Sequence, residues 1–111
     1  MEGGAQVSDP KGDAGKRKTP LGLIPASAME EAARVHALGA DKYGPWNWRD
    51  TGVSAMTYVH AIMRHLNAWR DGEDIDNESG VSHIAHIAAS CNILIDAAAC
   101  GKLIDDRSKK P

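Results

Sequence analysis

Two stretches with helical apolar spacing, joined by a short acidic link, most constrain how this chain can fold. Residues 54–70 and 78–100 repeat apolar side chains at intervals of three and four, the spacing of an amphipathic helix. No stretch alternates apolar and polar residues for long enough to predict a strand. Because the link is short, the two helices are expected to pack as an antiparallel hairpin. The sequence therefore predicts an all-α fold, a small helical bundle built on this hairpin.

Each helix of the hairpin has a predicted buried face. The face on residues 54–70 consists of Ala55, Val59, Ile62, Leu66 and Trp69. The stripe on residues 78–100 consists of Val81, Ile84, Ala88, Cys91, Ile95 and Ala98, widened by Ile87 and Leu94. Gly101 is expected to end this helix in a left-handed conformation. The two cysteines, Cys91 and Cys100, are predicted to be buried, reduced thiols.

The N-terminal part of the chain predicts one more helix and a loop. Ser27 and Glu30 have the Ser-x-x-Glu spacing of a capping box, so a helix is expected from there to about residue 40. The next segment, DKYGPWNWRDTG, contains two glycines and a proline and is predicted to be a loop. Residues 1–19 hold little to bury and predict a disordered arm before a domain over residues 20–106, and residues 107–111 predict a flexible tail.

Composition excludes some classes of function. A chain of 111 residues is expected to form one domain. Its net charge of −2 gives no broad basic field, so no stable nucleic-acid partner is expected. No apolar window is long enough for a membrane span or signal peptide, which predicts a soluble cytoplasmic protein without a membrane partner. A chain this small leaves much apolar surface exposed, which favours a homo-oligomer.

Histidines in the third helix are the first candidate site. His83 and His86 lie one turn apart in VSHIAHIAAS, where leucine would pack better. The hairpin brings them near His65 and the acidic link, which includes Glu73 and Asp76. Histidine suits Mn, Fe or Zn and carboxylates suit Mg and Mn, so the group could hold a divalent cation, activate a water, or bind phosphate when protonated. Alternatively, each histidine packs between helices, and Asp76 caps the third helix.

The segment DKYGPWNWR is the second candidate site, because it holds three of the five aromatic residues. Aromatic side chains in a loop commonly cover a core. Beside amide and cationic neighbours they also suit a ligand with a flat base and a phosphate tail. Asn47 is a candidate for reading a base edge, and Arg49 is one possible phosphate ligand. The predicted substrate-binding residues are Lys42, Tyr43, Trp46, Asn47, Trp48 and Arg64.

Taken together, the motifs resemble a known family. LGLIP, GADKY, NW, RH, GE, ESG and HxxH occur in this order between residues 21 and 95, and the series resembles the small phage proteins of the dATP/dGTP diphosphohydrolase family. The resemblance implies hydrolysis of dATP and dGTP to the monophosphate and pyrophosphate, with Mg²⁺ or Mn²⁺. The family occurs in phages that replace adenine with 2-aminoadenine and in many other phages. In the former, removing dATP would favour the modified base, and dGMP would feed its synthesis.

A more distant resemblance is to the all-α MazG-like pyrophosphohydrolases, which hold Mg²⁺ with Glu-x-x-Glu and Glu-x-x-Asp pairs and form dimers or tetramers. In this chain, histidines stand where the second carboxylate pair would be, and Arg64-His65 stand near the first. The predicted catalytic and metal-binding residues are His65, Glu73, Asp76, His83 and His86. The alternative is a non-catalytic helical module that binds a nucleotide or a protein partner through its tryptophan segment, with structural histidines.

Overall fold

A computed structural model describes residues 9–109 of the chain. Over that range the chain forms five α-helices, a 3₁₀ turn at Leu21–Leu23 and two short strands. The helices are α1 (Pro10–Gly15), α2 (Ala26–Tyr43), α3 (Asn47–Thr51), α4 (Ala55–Arg70) and α5 (His83–Ala99), and the strands are β1 (Val53–Ser54) and β2 (Leu103–Ile104). The predicted all-α class is confirmed. The strands escaped prediction because each is only two residues long.

Helix α5 is central and packs against both α4 and α2. His65, near the end of α4, contacts His83 at the start of α5. Tyr58, near the start of α4, packs against a core cluster that contains Ala97 near the end of α5. Helices α4 and α5 therefore run antiparallel, in agreement with the predicted hairpin.

A small core closes the open end of the hairpin. Its buried members are Trp48, Val53 and Ala97. Strands β1 and β2 pair in parallel, with Val53 opposite Leu103. Gly52 has a φ of +77°, and a Cβ there would lie 3.0 Å from the carbonyl oxygen of Lys102. Only glycine suits both this backbone conformation and this close approach.

The start and end of α2 differ from the prediction. The N–H groups of Ala28 and Met29 donate to the carbonyl of Pro25, which is the N-cap, with a φ of −68°. Ser27 therefore lies inside the first turn, and the predicted capping box is wrong. Helix α2 also continues to Tyr43, and α3 follows at once, so the segment predicted to be a loop is largely helical.

Helix α5 begins later than predicted. The hydroxyl of Ser82 accepts from the N–H groups of Ile84 and Ala85 and caps the helix. The preceding residues form a loop closed by an antiparallel bridge between Ile75 and Ser82. Asp76 therefore does not cap α5, and that alternative is wrong. At the other end, Gly101 follows the helix with a φ of +74°, as predicted.

The buried face of α5 is not the predicted apolar stripe. Its buried residues are His83, Ala85, Ala89 and Ala97. Small side chains let α2 and α4 approach the helix from two sides, which turns the larger apolar residues outward. Ile95 of the predicted stripe is 70% exposed, and Cys91 and Cys100 are exposed free thiols, so their predicted burial is wrong.

On α4 the predicted buried face is only partly correct. Ala55 is buried, whereas Leu66 and Trp69 are 47% and 46% exposed. These two residues lie in the last turns of the helix, beside the acidic link. The end of α4 therefore carries apolar surface that no other described element of the chain covers fully.

The N-terminal arm is described from residue 9 onward. It contains α1, none of whose residues is buried. Residues 1–8 and 110–111 lie outside the described range, so the predicted arm and tail stay predictions there, as do the domain boundaries. Between residues 9 and 109, no helix has the length and apolar character needed to cross a membrane.

Candidate functional site

A cleft of about 1130 Å³ runs along α5 from His83 to Asp96. Its walls come from α2, the turn into α3, α4 and the loop before α5. The predicted site residues that line it are Lys42, Tyr43, Trp46, Asn47, Trp48, Arg64, His65, Asp76, His83 and His86. Glu73 does not line the cleft. The two candidate sites of the sequence therefore share one cavity.

Three imidazoles pack together at the start of α5. The Nδ1 atoms of His65 and His83 lie 2.8 Å apart and share a hydrogen bond. The rings of His65 and His86 stack with centroids 4.4 Å apart and planes 7° from parallel. The one-turn spacing on α5 and the antiparallel partner α4 together produce this cluster.

Histidines 83 and 86 each have a separate carboxylate neighbour. Nε2 of His83 lies 3.4 Å from Glu73 Oε2, but their geometry does not make a hydrogen bond, so this buried nitrogen has no hydrogen-bond partner among residues 9–109. Nε2 of His86 lies 3.5 Å from Asp76 Oδ2 and 2.7 Å from Ser79 Oγ. Because Ser79 Oγ accepts from the N–H of Val81, its own proton is available to His86.

The surroundings favour the uncharged form of two of these imidazoles. Burial holds the pKa of His65 and of His86 below the ordinary value of 6.5, and the neighbouring imidazoles act in the same direction. The charge of Arg64 lowers the pKa of His65 further, and that of Lys42 lowers the pKa of His86. Asp76 opposes these effects without reversing them. At neutral pH both rings can therefore accept a proton.

The other end of the cleft is built around Asp96 of α5. The indole N–H of Trp48 donates to Asp96 Oδ2 at 2.7 Å, and Arg49 donates one bond of 2.8 Å to each carboxylate oxygen. The hydrogen bonds from Arg49 and Trp48 lower the pKa of Asp96 to about 2. Arg49 is therefore paired within the protein, which corrects its interpretation as a phosphate ligand.

Trp46 and Trp48 have different environments. Trp48 lines the cleft but is 9% exposed and belongs to the core, so it offers little surface to a base, and its role in substrate binding stays a prediction. Trp46 is 57% exposed and has a left-handed φ of 61°, which is uncommon for a bulky residue. The guanidinium of Arg49 lies 4.3 Å from the Trp46 ring centroid. Trp46 is therefore the indole available to a ligand.

Comparison with known proteins identifies the family of the chain. The sequence model of the family described as dATP/dGTP diphosphohydrolase, N-terminal, matches residues 8–107. The chain belongs to this family. A dATP/dGTP diphosphohydrolase of Salmonella phage PMBT28 is 40% identical over 72 residues, which make up 65% of this chain and 24% of that protein. The chain thus spans about a quarter of the length of this curated relative. No solved structure matches it.

The divalent metal implied by the resemblance does not fit the five predicted ligands as they stand. No group of three His, Cys, Asp or Glu side chains in the described range is arranged to hold an ion. His65 and His83 direct Nδ1 at each other, whereas Nε2 of His86 lies between Ser79 and Asp76. Although the three imidazoles pack together, the nitrogen and oxygen atoms of the five side chains do not converge on one point. In this arrangement the chemistry open to the imidazoles is to accept and donate protons.

Several residues of the cleft were not predicted, among them His36, Ser79 and Asp96. His36 of α2 shares a 3.2 Å hydrogen bond with Asn92 of α5, and Ser79 contacts His86. His36 carries no sequence signal that distinguishes it from other polar residues, whereas Ser79 lies in the ESG motif of the resemblance. Asp96 does carry one, because it is the only charged residue in α5, and a lone charge in an apolar helix requires a partner.

Proposed function

We propose that this chain carries the substrate-binding and hydrolytic centre of a diphosphohydrolase that converts dATP and dGTP to their monophosphates and pyrophosphate. The observation that carries the proposal is a cleft with uncharged imidazoles at one end and an exposed indole at the other. His86 and the Asp96 cluster are ten residues apart on α5, or about 15 Å along the helix axis. An extended nucleoside triphosphate spans a comparable distance from its base to its phosphates.

The two ends of the cleft suit the two ends of such a substrate. Lys42 and Arg64 are exposed beside the imidazoles, where their charges act on His86 and His65, and would neutralise the triphosphate. At the other end, Trp46 would stack on the base and Asn47 would read its edge. Tyr43 is 70% exposed on the same cleft and offers a second aromatic surface.

The chemistry assigned to the imidazoles is general-base catalysis. His86 or His65 accepts a proton from a water molecule while the water oxygen attacks the α- or the β-phosphorus. The bond from that phosphorus to the α–β bridging oxygen breaks, and the bridging oxygen keeps the electron pair. Pyrophosphate leaves after attack on the α-phosphorus, and the nucleoside monophosphate leaves after attack on the β-phosphorus.

Three finer parts of the proposal rest on the resemblance. Activity is expected to depend on Mg²⁺ or Mn²⁺. In the infected cell, removal of dATP would favour 2-aminoadenine, and the dGMP produced would supply its synthesis. The protein is expected to act as a homo-oligomer, a dimer or a tetramer.

The decisive experiment is a product assay with each of the four deoxynucleoside triphosphates, in Mg²⁺, in Mn²⁺ and in EDTA. We expect dATP and dGTP to yield monophosphate and pyrophosphate in either metal and neither product in EDTA, as measured by anion-exchange chromatography. Water labelled with ¹⁸O identifies the attacked phosphorus, because the label enters the monophosphate or the pyrophosphate.

Other outcomes decide between the alternatives. Nucleotide binding without turnover in any metal would support the non-catalytic binding module. Turnover of pyrimidine triphosphates alone would keep the chemistry and overturn the choice of base. Unchanged turnover in EDTA would remove the metal from the proposal.

A further inference from the structure

The conformation of Trp46 needs support from its neighbours. A left-handed backbone at a bulky residue is strained and persists only where the surrounding structure holds it. Helix α3, which Trp46 precedes as N-cap, is five residues long, too short to be stable alone. The support comes from two contacts: the guanidinium of Arg49, 4.3 Å from the indole centroid, and the Trp48 ring, whose centroid is 5.4 Å away.

Both supporting residues are bound to one carboxylate. Asp96 accepts two hydrogen bonds from Arg49 and one from Trp48. It lies near the end of α5, the central helix, so α3 is attached to the rigid part of the fold through this side chain. Charge-assisted, two-point pairing between arginine and a carboxylate also fixes the plane of the guanidinium, and with it the plane against which the indole lies.

We propose that Asp96 is a positioning residue for purine recognition, holding Arg49 and Trp48 so that Trp46 is a preformed platform for the substrate base. The proposal rests on the proposed function. Arg49 lies over the Trp46 ring, and the side chain remains 57% exposed, which leaves indole surface for the base. A ring already held in place loses less conformational freedom on binding, and a purine covers more of an indole than a pyrimidine does.

If Trp46 is a preformed platform, removal of the Asp96 carboxylate should weaken the binding of purine substrates more than that of pyrimidine substrates. Asp96→Asn removes the charge that orients Arg49, so the KM for dATP and dGTP should rise about tenfold, the order expected when base–aromatic stacking is lost. Turnover at saturation should change less than twofold, because the imidazoles lie at the far end of the cleft. The preference for purine over pyrimidine triphosphates should fall.

A matched control is available within the same chain. Asp105 accepts two hydrogen bonds from Arg107, of 2.7 and 2.8 Å, and this pair does not line the cleft. Asp105→Asn therefore removes an equivalent ion pair without touching the platform. It should leave KM and turnover unchanged.

A double-mutant cycle tests whether Asp96 acts through Trp46. Trp46→Ala alone should raise the purine KM, and adding Asp96→Asn should raise it no further, because the platform is already gone. In a Trp69→Phe background, which removes the indole outside the cleft, quenching of tryptophan fluorescence by dGMP measures stacking without turnover. It should weaken in Asp96→Asn and persist in Asp105→Asn.

The proposal is overturned if Asp96→Asn raises KM equally with and without Trp46, or if native KM and quenching persist in the variant. Should Asp96→Asn fail to fold, Arg49→Lys gives the same test, since lysine keeps the charge but not the two-point pairing. Asp96→Glu keeps the carboxylate and should therefore retain part of the purine binding that Asp96→Asn loses. If the native protein neither hydrolyses nor binds nucleotides, the proposed function fails. If the native protein hydrolyses dGTP but these substitutions change neither KM nor quenching, only the proposal of a preformed platform is wrong.

Discussion

At the scale of single residues, the surroundings of His86 give it a chemical role that a surface histidine would lack. Its ring stacks on His65, and Ser79 offers a hydroxyl to its Nε2. Burial, the strongest influence, and the nearby Lys42 lower its pKa, while Asp76 prevents a larger shift. The imidazole is therefore uncharged over a wider pH range than a solvent-exposed one.

Replacement of His86 should remove a proton acceptor while preserving most of its volume. In His86→Gln, the rate of dGTP hydrolysis should fall by about 10²–10⁴-fold, the usual contribution of a general base. His60 is exposed on α4 and does not line the cleft, so His60→Gln is the control and should keep full activity. Full activity in His86→Gln would remove this residue from the proposed chemistry.

The same residues predict the acid limb of the pH profile. Catalysis needs the uncharged imidazole, and the pKa values of His65 and His86 are lowered from 6.5. Half-protonation should therefore lie below pH 6.5, and log(kcat) should decline at low pH with a midpoint below that value. A midpoint above pH 6.5 would contradict these shifts.

At the scale of elements, a helix end was predictable from the sequence where a single local residue determines it and no neighbouring residue sets the end instead. Gly101 ends α5 because its positive φ is a local property. Ser27 failed as a cap because the fixed φ of Pro25 already sets the entry into α2. The buried face of α5 was not predictable from periodicity, because the helix packs against both α2 and α4, and the sequence does not say from which sides they approach.

The true cap of α5 should be visible in stability. Ser82→Ala removes the acceptor for two backbone N–H groups and should lower the free energy of unfolding by about 1 kcal/mol. Ser27 lies in the first turn of α2 and makes no capping hydrogen bond. Ser27→Ala should therefore change the free energy of unfolding by only a few tenths of the Ser82→Ala effect. Urea denaturation followed by circular dichroism measures both. Equal losses would contradict the assignment of Ser82 as the cap.

At the scale of the whole molecule, the topology explains why much of the candidate site could be predicted. An antiparallel hairpin fixes which helix ends meet, so the sequence alone places His65 near His83 and His86. The link from Asp96 to Arg49 spans 47 residues and depends on how α3 docks, which no sequence pattern specifies. The direction of each ring nitrogen depends on side-chain rotamers, so the sequence could not show that the predicted ligands fail to converge on one point.

The exposed apolar stripe of α5 is the candidate contact surface of the proposed homo-oligomer. Ile84, Cys91 and Ile95 are exposed and follow one another at intervals of seven and four, without a charge between them on that face. We propose that the homo-oligomer forms through this uncharged surface, so Ile95→Glu should convert the oligomer into single chains, as measured by light scattering. Leu23→Glu, at a residue 80% exposed outside α5, is the control and should keep the oligomer. A native protein with the mass of one chain would contradict this expectation.

The pairing of β1 with β2 fixes the length of the cleft. By joining the residue before α4 to the segment after α5, the two strands prevent the helices from sliding past each other. The indole and the imidazoles are thus held at a constant separation. Under the proposed function, this separation would distinguish ligands by how many phosphates follow the sugar. A nucleoside monophosphate would be too short to contact both ends together, so the product would leave once the anhydride is cut.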